Sequence, residues 1–300
     1  MKPKCRICNA IEERQTLRAE YVFGGREEHN FWECSNCRII YLYPYLSKEE
    51  ERHFYKKEFE KFMSSRVGDH RDWTNAKKHI TSNQDQVERR WKFVEEHLEK
   101  DKTLLEIGCS SGFMMDAFRD SGLNCYGVEP SGEFLEFLKD NGHRAYESIE
   151  DLKKNEDKKF DIITHFFVFE HISNPFEFLK ETYDMLNSGG IIIAEIPSST
   201  DALTSLYNIP AFEKFYWSIA HHYYYNPKSL EYILDKLGYR YELLPEQRYD
   251  LSNHMTWMMN GKAGGQNRFD IFSEDTLKSY REDLMKNWKC DTVILKIFKD

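Results

Sequence analysis

Several signatures of other protein classes are missing from this 300-residue chain. No stretch of about 18 apolar residues occurs, so we expect no membrane-spanning helix. The opening segment, MKPKCRICNAIEER, contains no apolar core of signal-peptide length. We find no low-complexity segment and no repeat of fixed period, and the balance of 40% apolar and 31% charged residues excludes a disordered or collagen-like chain. The sequence therefore predicts a cytoplasmic globular protein without a membrane partner.

An excess of basic residues is also absent. The chain has 51 acidic and 42 basic residues and a net charge of −9, whereas a general nucleic-acid-binding protein more often carries a basic excess. We therefore expect no nucleic-acid partner, and an anion would need a local basic pocket. The length is about twice that of a usual domain, which predicts one large domain with additions or two domains.

Seven cysteines are present, and four of them lie in the first 37 residues as two pairs. Cys5-x-x-Cys8 and Cys34-x-x-Cys37 form two knuckles, which together supply four sulfurs to a tetrahedral ion, most simply zinc. The alternatives are two disulfides in a secreted protein and a redox-active Cys-x-x-Cys. Because four thiolates leave zinc no open position, we expect a structural site.

The knuckles define a zinc ribbon over residues 1–45, which we expect to dock on the rest of the chain or to cover its site. Its seven basic and six acidic residues are too evenly balanced for a nucleic-acid finger. Residues 46–85 are polar with scattered aromatics and predict a helical connector or lid. In the helix that follows, apolar residues from Val87 to Leu98 share one face.

The strongest signal is the string TLLEIGCSSGFMMDAF, which begins at residue 103. Its apolar start predicts a buried strand, Gly108 and Gly112 frame a tight turn, and a helix begins at Phe113. Glycines let the backbone approach a ligand closely, and the helix start offers free N–H groups. Further on, Glu129 ends a second predicted strand, where a carboxylate can accept hydrogen bonds from ribose hydroxyls. The alternatives are an ordinary strand-to-helix turn and a surface carboxylate.

Strands and helices alternate after this point, as in an α/β sheet. A helix over 131–141 is followed by a short strand at 144–146, and FDIITHFF supplies a fourth strand. Asn174 and Pro175 begin the next helix, and NSGG turns into the strand IIIAEIP. A dinucleotide reductase would share this alternation, but its Gly-x-Gly-x-x-Gly fingerprint is absent.

Residues 86–245 resemble class I S-adenosylmethionine-dependent methyltransferases in the pieces LLEIGCSSG, YGVEPS, FDIITHFFVFEHISNP and LNSGGIIIAEIP and in their order. The resemblance implies a doubly wound α/β fold with a seven-stranded sheet, one strand of which is antiparallel. The methyltransferase domain would cover residues 86–300, with insertions at 198–226 and 248–289.

The resemblance also implies S-adenosylmethionine as cofactor and assigns roles to matched positions. The glycine turn would surround the methionine part, Glu129 would hold the ribose, and residues 147–149 would edge the adenine. The family often has Asp where Glu106 stands and Gly where Ser110 or Ser111 stands. The residues that the resemblance places around the cofactor are Glu106, Gly108, Cys109, Ser110, Gly112, Phe113, Glu129, Pro130, Ser131, His165 and Phe166.

A four-cysteine ribbon before this core is similar to bacterial enzymes that methylate sugars and polysaccharide precursors, among them the sugar C-methyltransferases. The resemblance implies a small-molecule acceptor that is a sugar or a phosphorylated or nucleotide-linked metabolite. Those enzymes usually show Tyr-x-Glu-His where this chain has Ile219-Ala220-His221-His222. Because their tyrosine and glutamate are replaced, O-methylation is our first hypothesis and C-methylation the alternative.

Three histidines stand where an acceptor would bind. An acceptor hydroxyl or enolisable carbon needs a base of near-neutral pKa, so histidine is the natural candidate. His171 follows the fourth strand, and His221 and His222 lie in the first insertion. We predict that one of the three is the catalytic base. The alternatives are a histidine that braces a loop and a metal-binding histidine pair, for which the sequence shows no third ligand.

Two segments are candidates for substrate binding. The aromatic residues of the first insertion, Tyr224 among them, would form a wall on the acceptor side or simply pack. After the sixth predicted strand, Gly264-Gly265 would turn backbone N–H groups toward a phosphate or nucleotide, although a surface excursion is the alternative. The side chains of this second segment that we predict to bind substrate are Arg248, Tyr249, Asn253, His254 and Lys262.

Two other functions compete with small-molecule methylation. A methyltransferase acting on RNA or protein, with the ribbon as recognition module, is disfavoured by the acidic balance. A binding module without catalysis is disfavoured by the intact turn from Glu106 to Gly112 and by Glu129.

Overall fold

The amino-terminal ribbon is a small antiparallel sheet. A computed structural model describes residues 2–67 and 75–300 of the chain. The ribbon strands are β1 (Gln15–Ala19), β2 (Asn30–Cys34) and β3 (Ile40–Tyr43). A fourth strand, β9 (Tyr223–Tyr224), pairs antiparallel with β3 and comes from the predicted insertion at 198–226. The ribbon is therefore joined to the rest of the protein by a shared sheet.

In the described part of the segment between the ribbon and the main sheet there are four α-helices. They are α1 (Lys48–Lys57), α2 (Phe59–Val67), α3 (Ala76–Ser82) and α4 (Gln84–Val94). α1 begins with a capping box, since the Ser47 hydroxyl accepts from the Glu50 N–H while the Glu50 carboxylate accepts from the Ser47 N–H. A short 3-10 turn follows α4, so the predicted apolar face up to Leu98 is shared between two elements that pack into one cluster. Residues 68–74 of the predicted connector lie outside the described residues.

The main sheet has seven strands. They are β4 (Thr103–Ile107), β5 (Asn124–Val128), β6 (Arg144–Tyr146), β7 (Phe160–Phe166), β8 (Leu186–Pro197), β10 (Arg240–Glu246) and β11 (Thr292–Phe298). Their order is β10-β11-β8-β7-β4-β5-β6. β11 is antiparallel to both of its neighbours, and the other pairs are parallel. The predicted seven-stranded sheet with one antiparallel strand is confirmed.

Helices cover both faces of this sheet. The helices between the strands are α5 (Phe113–Asp120), α6 (Gly132–Asp140), α7 (Ile149–Asn155), α8 (Pro175–Asp184) and α11 (Pro227–Leu237). Asn174 and Asn226 cap α8 and α11, each with proline at the first helical position as predicted. Neighbouring residues of β7 point to opposite faces, so Ile163 packs into one apolar cluster and Ile162 into another. The result is the doubly wound arrangement that the sequence predicts.

The two predicted insertions pack against each other on the side of the ribbon. They contain α9 (Ala202–Ser205), α10 (Pro210–Tyr216), α12 (Leu251–Asn260) and α13 (Glu274–Lys286). The sequence analysis did not predict α12. Trp257 of α12 packs against Phe212 and Phe215 at ring-centroid distances of 5.0 and 5.3 Å, so burial by the other insertion supports this helix. Among the described residues, no helix is long and apolar enough to cross a membrane.

Candidate active site

The turn between β4 and α5 lies at the carboxyl edge of the parallel strands, where ligands bind in open α/β sheets. Gly108 and Gly112 have φ angles of +71° and +84°, in the region that favours glycine. A Cβ atom on Gly108 would lie 2.4 Å from Cγ2 of Val168, and one on Gly112 would lie 2.6 Å from Cδ2 of Leu138. Both glycines are therefore required by space as well as by backbone conformation. We call residues 108–112 the glycine loop.

Glu129 fixes the shape of this loop. One carboxylate oxygen accepts a hydrogen bond from the N–H of Ser110 at 2.7 Å, and the other accepts from the N–H of Ser131 at 2.9 Å. The carboxylate thereby ties the glycine loop to the start of α6. A carboxylate oxygen can accept more than one hydrogen bond, so a carboxylate at this position suits both holding the loop and accepting hydrogen bonds from hydroxyl groups.

A cavity of about 260 Å³ opens beside the start of α6. Pro130 and Gly132 line it on one side and Glu147 on the other. Lys56 of α1 also lines the cavity and pairs with Glu147, with 2.9 Å between Nζ and Oε1. The connector helix α1 therefore lies over the place where the sequence analysis expects the adenine.

Glu106 lies in β4 beneath the glycine loop and is only 3% exposed. Burial raises its pKa to about 8, the nearby Arg90 opposes this rise, and Glu129 adds to it. Its Oε2 atom and the Oγ1 atom of its register partner Thr164 have no hydrogen-bond partner within the described part of the chain. Buried polar atoms of this kind are costly unless something binds them, so these residues fit a polar ligand at the strand ends.

Three other residues that the sequence analysis placed around the cofactor, Cys109, His165 and Phe166, have different surroundings. The Cys109 thiol is buried against Gly127, where an added Cβ would lie 2.7 Å from its sulfur. The His165 side chain turns into the layer between β7 and α8, 5.3 Å from Phe178 between ring centroids, and burial lowers its pKa to about 3. Phe166 instead lies under the Arg90 guanidinium at 4.5 Å. The His165 ring is thus neutral and lies in the core layer.

His79 contacts the glycine loop although the sequence analysis did not select it. Its Nδ1 atom lies 2.8 Å from the Ser111 hydroxyl, and its ring packs on Phe113 and Phe134 at centroid distances of 5.9 and 5.2 Å. The residue is 2% exposed. Since it lies about 30 residues before the loop in a polar segment, no local pattern marked it. α3 therefore packs against the glycine loop and the starts of α5 and α6.

Glu170, His171 and His221 form a cluster just past the end of β7, which we call the acceptor cluster. One potential ligand atom from each residue lies within 4.8 Å of the others. The His171 Nδ1–H donates to the Ala220 carbonyl at 2.6 Å, which leaves Nε2 with the lone pair. The cluster can serve as an acid–base unit, or its three donor atoms can hold a cation. Glu170 supplies a third donor atom beside two histidines, and the sequence had not shown such a third ligand.

His222 lies beside this cluster but is held differently. Its Nε2 atom forms an ion-pair contact with Oε1 of Glu51 in α1, and its Nδ1 atom lies 3.2 Å from Nη1 of Arg6 in the ribbon. The residue is 1% exposed. Both ring nitrogens are therefore engaged by residues from other parts of the chain.

The residues predicted to bind substrate are mostly engaged within the protein. Tyr224 is fully buried and its hydroxyl donates to the Tyr216 carbonyl. Arg248 pairs with Asp291 at 3.1 Å, and His254 is buried with its Nδ1 2.6 Å from the Tyr280 hydroxyl.

The Gly264-Gly265 pair is also packed. Asn253 donates to the Gly264 carbonyl at 2.8 Å, and a Cβ on Gly265 would lie 2.0 Å from Oγ1 of Thr256. The pair therefore lies against α12. Lys262 is exposed and Tyr249 is 38% exposed, so these two keep side chains that a ligand could reach.

The four amino-terminal cysteines converge as their spacing predicts. Their Sγ atoms form one group within 4.8 Å, with 3.6 Å between Cys5 and Cys37 and 3.5 Å between Cys8 and Cys34. A tetrahedron with zinc–sulfur bonds of about 2.3 Å has sulfur–sulfur edges of about 3.8 Å. All seven cysteines lie in the described parts of the chain and are free thiols. The donor set therefore fits one tetrahedral ion.

Comparison with known proteins gives two curated relatives of part of the chain. The ubiquinone biosynthesis O-methyltransferase of Haemophilus ducreyi is 28% identical over 102 residues, which cover 30% of this chain and 43% of that protein. Its counterpart in Nitrobacter winogradskyi is 34% identical over 98 residues, which cover 30% of this chain and 37% of that protein. The chain thus spans less than half the length of these relatives.

A solved structure and a family model cover more of the chain. The crystal structure of a SAM dependent methyltransferase from Archaeoglobus fulgidus is 20% identical with a TM-score of 0.49, and covers 72% of this chain and 94% of that chain. The family model described as "Methyltransferase domain" matches residues 77–244, more than half of the chain. Because this match covers more than half of the chain, the chain belongs to the methyltransferase-domain family, and the strand order of its main sheet agrees with the fold that the sequence resemblance implies.

Proposed function

We propose that this enzyme methylates a hydroxyl oxygen of a small molecule and that a histidine of the acceptor cluster is the general base. The observation that carries the proposal is the position of Glu170, His171 and His221, which meet within 4.8 Å just past β7. Val168, two residues before Glu170, contacts the glycine loop at Gly108. The base is therefore next to the proposed cofactor site.

We propose the cofactor site on the residues around the glycine loop. Bound S-adenosylmethionine supplies an electrophilic methyl group, and the protein must hold it in line with the acceptor. Glu129 would bind the ribose, and the cavity beside Pro130 and Glu147 would take the adenine. Glu106 has a buried oxygen available for a polar group of the cofactor. The residues proposed to surround it are Glu106, Gly108, Cys109, Ser110, Gly112, Phe113, Glu129, Pro130, Ser131 and Phe166, with His165 behind them.

His171 is the best-placed base. Because its Nδ1–H donates to the Ala220 carbonyl, the tautomer with a lone pair on Nε2 is fixed. That nitrogen would take the proton of the acceptor hydroxyl as its oxygen forms the bond to the methyl carbon and the carbon–sulfur bond breaks. S-adenosylhomocysteine leaves with the electron pair. His221 is the alternative base, and the engaged nitrogens of His222 make that residue the least suited of the three.

For the acceptor we propose a sugar or a phosphorylated or nucleotide-linked precursor of surface polysaccharide. The proposal rests on the sequence resemblance, in which a four-cysteine ribbon before a methyltransferase core is similar to enzymes that methylate sugars and polysaccharide precursors. The names of the relatives in Haemophilus ducreyi and Nitrobacter winogradskyi, O-methyltransferases of ubiquinone biosynthesis, support oxygen as the methylated atom. Methylation of a sugar carbon is the second candidate, because the acceptor cluster could equally remove a proton from an enolisable carbon.

We also propose that the four cysteines hold a structural zinc ion. Four thiolates fill a tetrahedral ion and leave no place for a substrate. Free thiols at all seven positions agree with a reducing compartment such as the cytoplasm. The zinc ribbon at 1–45, the connector at 46–85 and the methyltransferase domain from 86 onward remain our proposed division of the chain.

The test is the release of S-adenosylhomocysteine across a panel of nucleotide-linked sugars, sugar phosphates and simple phenols, with NMR of each product. A methyl group on a sugar oxygen is the expected result. A methyl group on carbon would overturn O-methylation, and turnover of phenols alone would overturn the sugar class. Turnover only with RNA or protein, added as a further arm, would refute the small-molecule proposal.

A further inference from the structure

Arg6 lies inside the first cysteine knuckle, between Cys5 and Cys8, yet its side chain serves another part of the molecule. Its guanidinium lies over the rings of Tyr45 and Tyr223 at 4.0 and 4.8 Å. Nη2 donates to the Ser173 carbonyl at 3.3 Å. The residue thus reaches from the proposed metal site to the loop after β7.

The fourth contact of Arg6 is the ring of His222. A guanidinium can only donate, so Nδ1 of His222 must accept the hydrogen bond from Nη1. In the neutral ring the proton then lies on Nε2, the atom that is in ion-pair contact with the Glu51 carboxylate. Two charged residues from the ribbon and from α1 therefore fix both the tautomer and the orientation of a buried imidazole.

The backbone of His222 links the ribbon to the acceptor cluster. The N–H of Leu42 in β3 donates to the His222 carbonyl at 3.0 Å, and the His222 N–H donates to the Glu170 carbonyl at 2.8 Å. His221 precedes it in the chain, and Ala220, which orients His171, lies two residues before it. Any shift of His222 is therefore passed to all three members of the cluster.

We propose that Arg6 is a positioning residue that makes the geometry of the acceptor cluster depend on the loaded four-cysteine site. An ion on Cys5 and Cys8 holds the knuckle, the knuckle holds Arg6, and Arg6 with Glu51 holds His222 against Glu170. None of these contacts involves the glycine loop or Glu129, so we expect cofactor binding to be unaffected by Arg6. The catalytic part of this inference rests on the proposed function, whereas the structural part does not.

The test compares Arg6→Met, which keeps the aliphatic stem, with Arg38→Met. Arg38 is a matched control because it is adjacent to Cys37 and its half-exposed side chain pairs with Glu33, at 2.6 Å between Nη2 and Oε1, away from His222. Hydrogen exchange of the full chain is measured for the peptide covering 218–225 and for the one covering 103–112. We expect Arg6→Met to speed exchange of the His222 N–H about tenfold or more and to leave 103–112 unchanged.

A second measurement distinguishes a specific effect of Arg6 on the His222 ring from a general loss of rigidity in the segment 218–225. Nitrogen-15 NMR of the imidazoles should show His222 with Nδ1 unprotonated and Nε2 protonated in the wild type and in Arg38→Met. In Arg6→Met the Nδ1 atom loses its donor, so this fixed tautomer should become a mixture. Removal of the metal with a chelator should give the same two changes in the wild type. Unchanged exchange at 218–225 together with an unchanged His222 tautomer would overturn the proposal.

Turnover gives the functional readout on any acceptor found in the panel. Arg6→Met should lower kcat about 10- to 100-fold with an unchanged KM for S-adenosylmethionine, since small displacements of a base have effects of this size. Arg6→Lys should restore activity only in part, because an ammonium cannot replace the guanidinium fork. If the exchange and NMR changes occur while kcat is unaffected, the positioning stands and the proposed base is wrong.

Discussion

The proposed cofactor side of the site is built from residues that are close along the chain, whereas the proposed acceptor side is built from residues that are far apart. Glu106, the glycine loop and Glu129 lie within 24 consecutive residues, and the Glu129 carboxylate accepts a hydrogen bond from the loop N–H of Ser110. The acceptor side joins Arg6, Glu51, Glu170 and His221 from the ribbon, the connector and two loops of the main domain. Because of this difference, we expect substitutions on one side to impair that side alone, so that cofactor affinity and turnover can be lost independently.

Loss of the metal should have the largest effect and should be confined to the acceptor side. Structural zinc sites contribute about 10 kcal/mol or more to the folding of small domains, so Cys34→Ser should abolish zinc binding and unfold the ribbon. Elemental analysis should give one zinc per chain for the wild type and for the control Cys125→Ser. Calorimetric affinity for S-adenosylhomocysteine should be retained in Cys34→Ser, and its loss would show that both sides depend on the ribbon.

Removal of the proposed base should act on turnover alone. Because general-base catalysis typically contributes 10²- to 10⁴-fold, His171→Ala should lower kcat by about 10³-fold and leave cofactor affinity within about twofold. His53→Ala, on the exposed face of α1, is the control histidine and should behave as the wild type. A His171→Ala enzyme with normal kcat would move the role to His221.

A substitution in the glycine loop should lower the affinity for the cofactor, which the removal of the proposed base should leave unchanged. In Gly108→Ala the added methyl group would meet Val168 at 2.4 Å at a φ of +71°, so we expect cofactor affinity to fall by about 100-fold, or about 2.7 kcal/mol. Gly189→Ala is the matched control, since its φ is +76° and nothing lies within 4 Å of the added atom. Equal loss of affinity in both variants would mean that backbone strain alone, rather than the contact, is responsible.

The smallest effect should be a dependence of stability on pH that comes from Glu106. Burial raises its pKa from 4.5 to about 8, so the folded state favours the protonated form. The stabilisation is complete below pH 4.5 and is lost as pH rises through 8. Urea unfolding of the cofactor-free protein should show the wild type losing on the order of 2 kcal/mol more than Glu106→Gln between pH 5 and pH 8. Parallel curves for the two proteins would contradict a neutral Glu106.

The geometry of the glycine loop and of Glu129, where we propose the cofactor, could be foreseen because its signals are local. A strand, a glycine turn, a helix start and an acidic residue at the end of the next strand are all visible in the letters from 103 to 131. The four cysteines were equally visible, since two-residue spacing sets each knuckle. Even so, sequence patterns did not show that His165 would face the core, because a strand's register with its neighbours decides which face a side chain takes.

The acceptor side could be foreseen only in its residue types. The three histidines were named as candidates, but their different partners depend on how the ribbon docks. β9 pairs with β3 and brings His222 between Arg6 and Glu51, while His171 is oriented by Ala220. The sequence did not predict a role for His79, because its partners Ser111 and Phe134 lie more than 30 residues away along the chain.

The sequence by itself determined the alternation of strands and helices, the glycine loop and the four-cysteine group. Each of these follows from periodicity or from spacing within a short segment, where one turn or one strand is enough to bring the residues together. The seven strands of the main sheet, one of them antiparallel, were implied by the family resemblance. The tertiary structure alone decided which histidine keeps a lone pair toward the site, that Glu170 joins two of them, and that the ribbon holds the loop at 218–225. These depend on contacts between residues separated by 49 to 216 positions, and such contacts exist only after the ribbon, the connector and the main sheet have packed together.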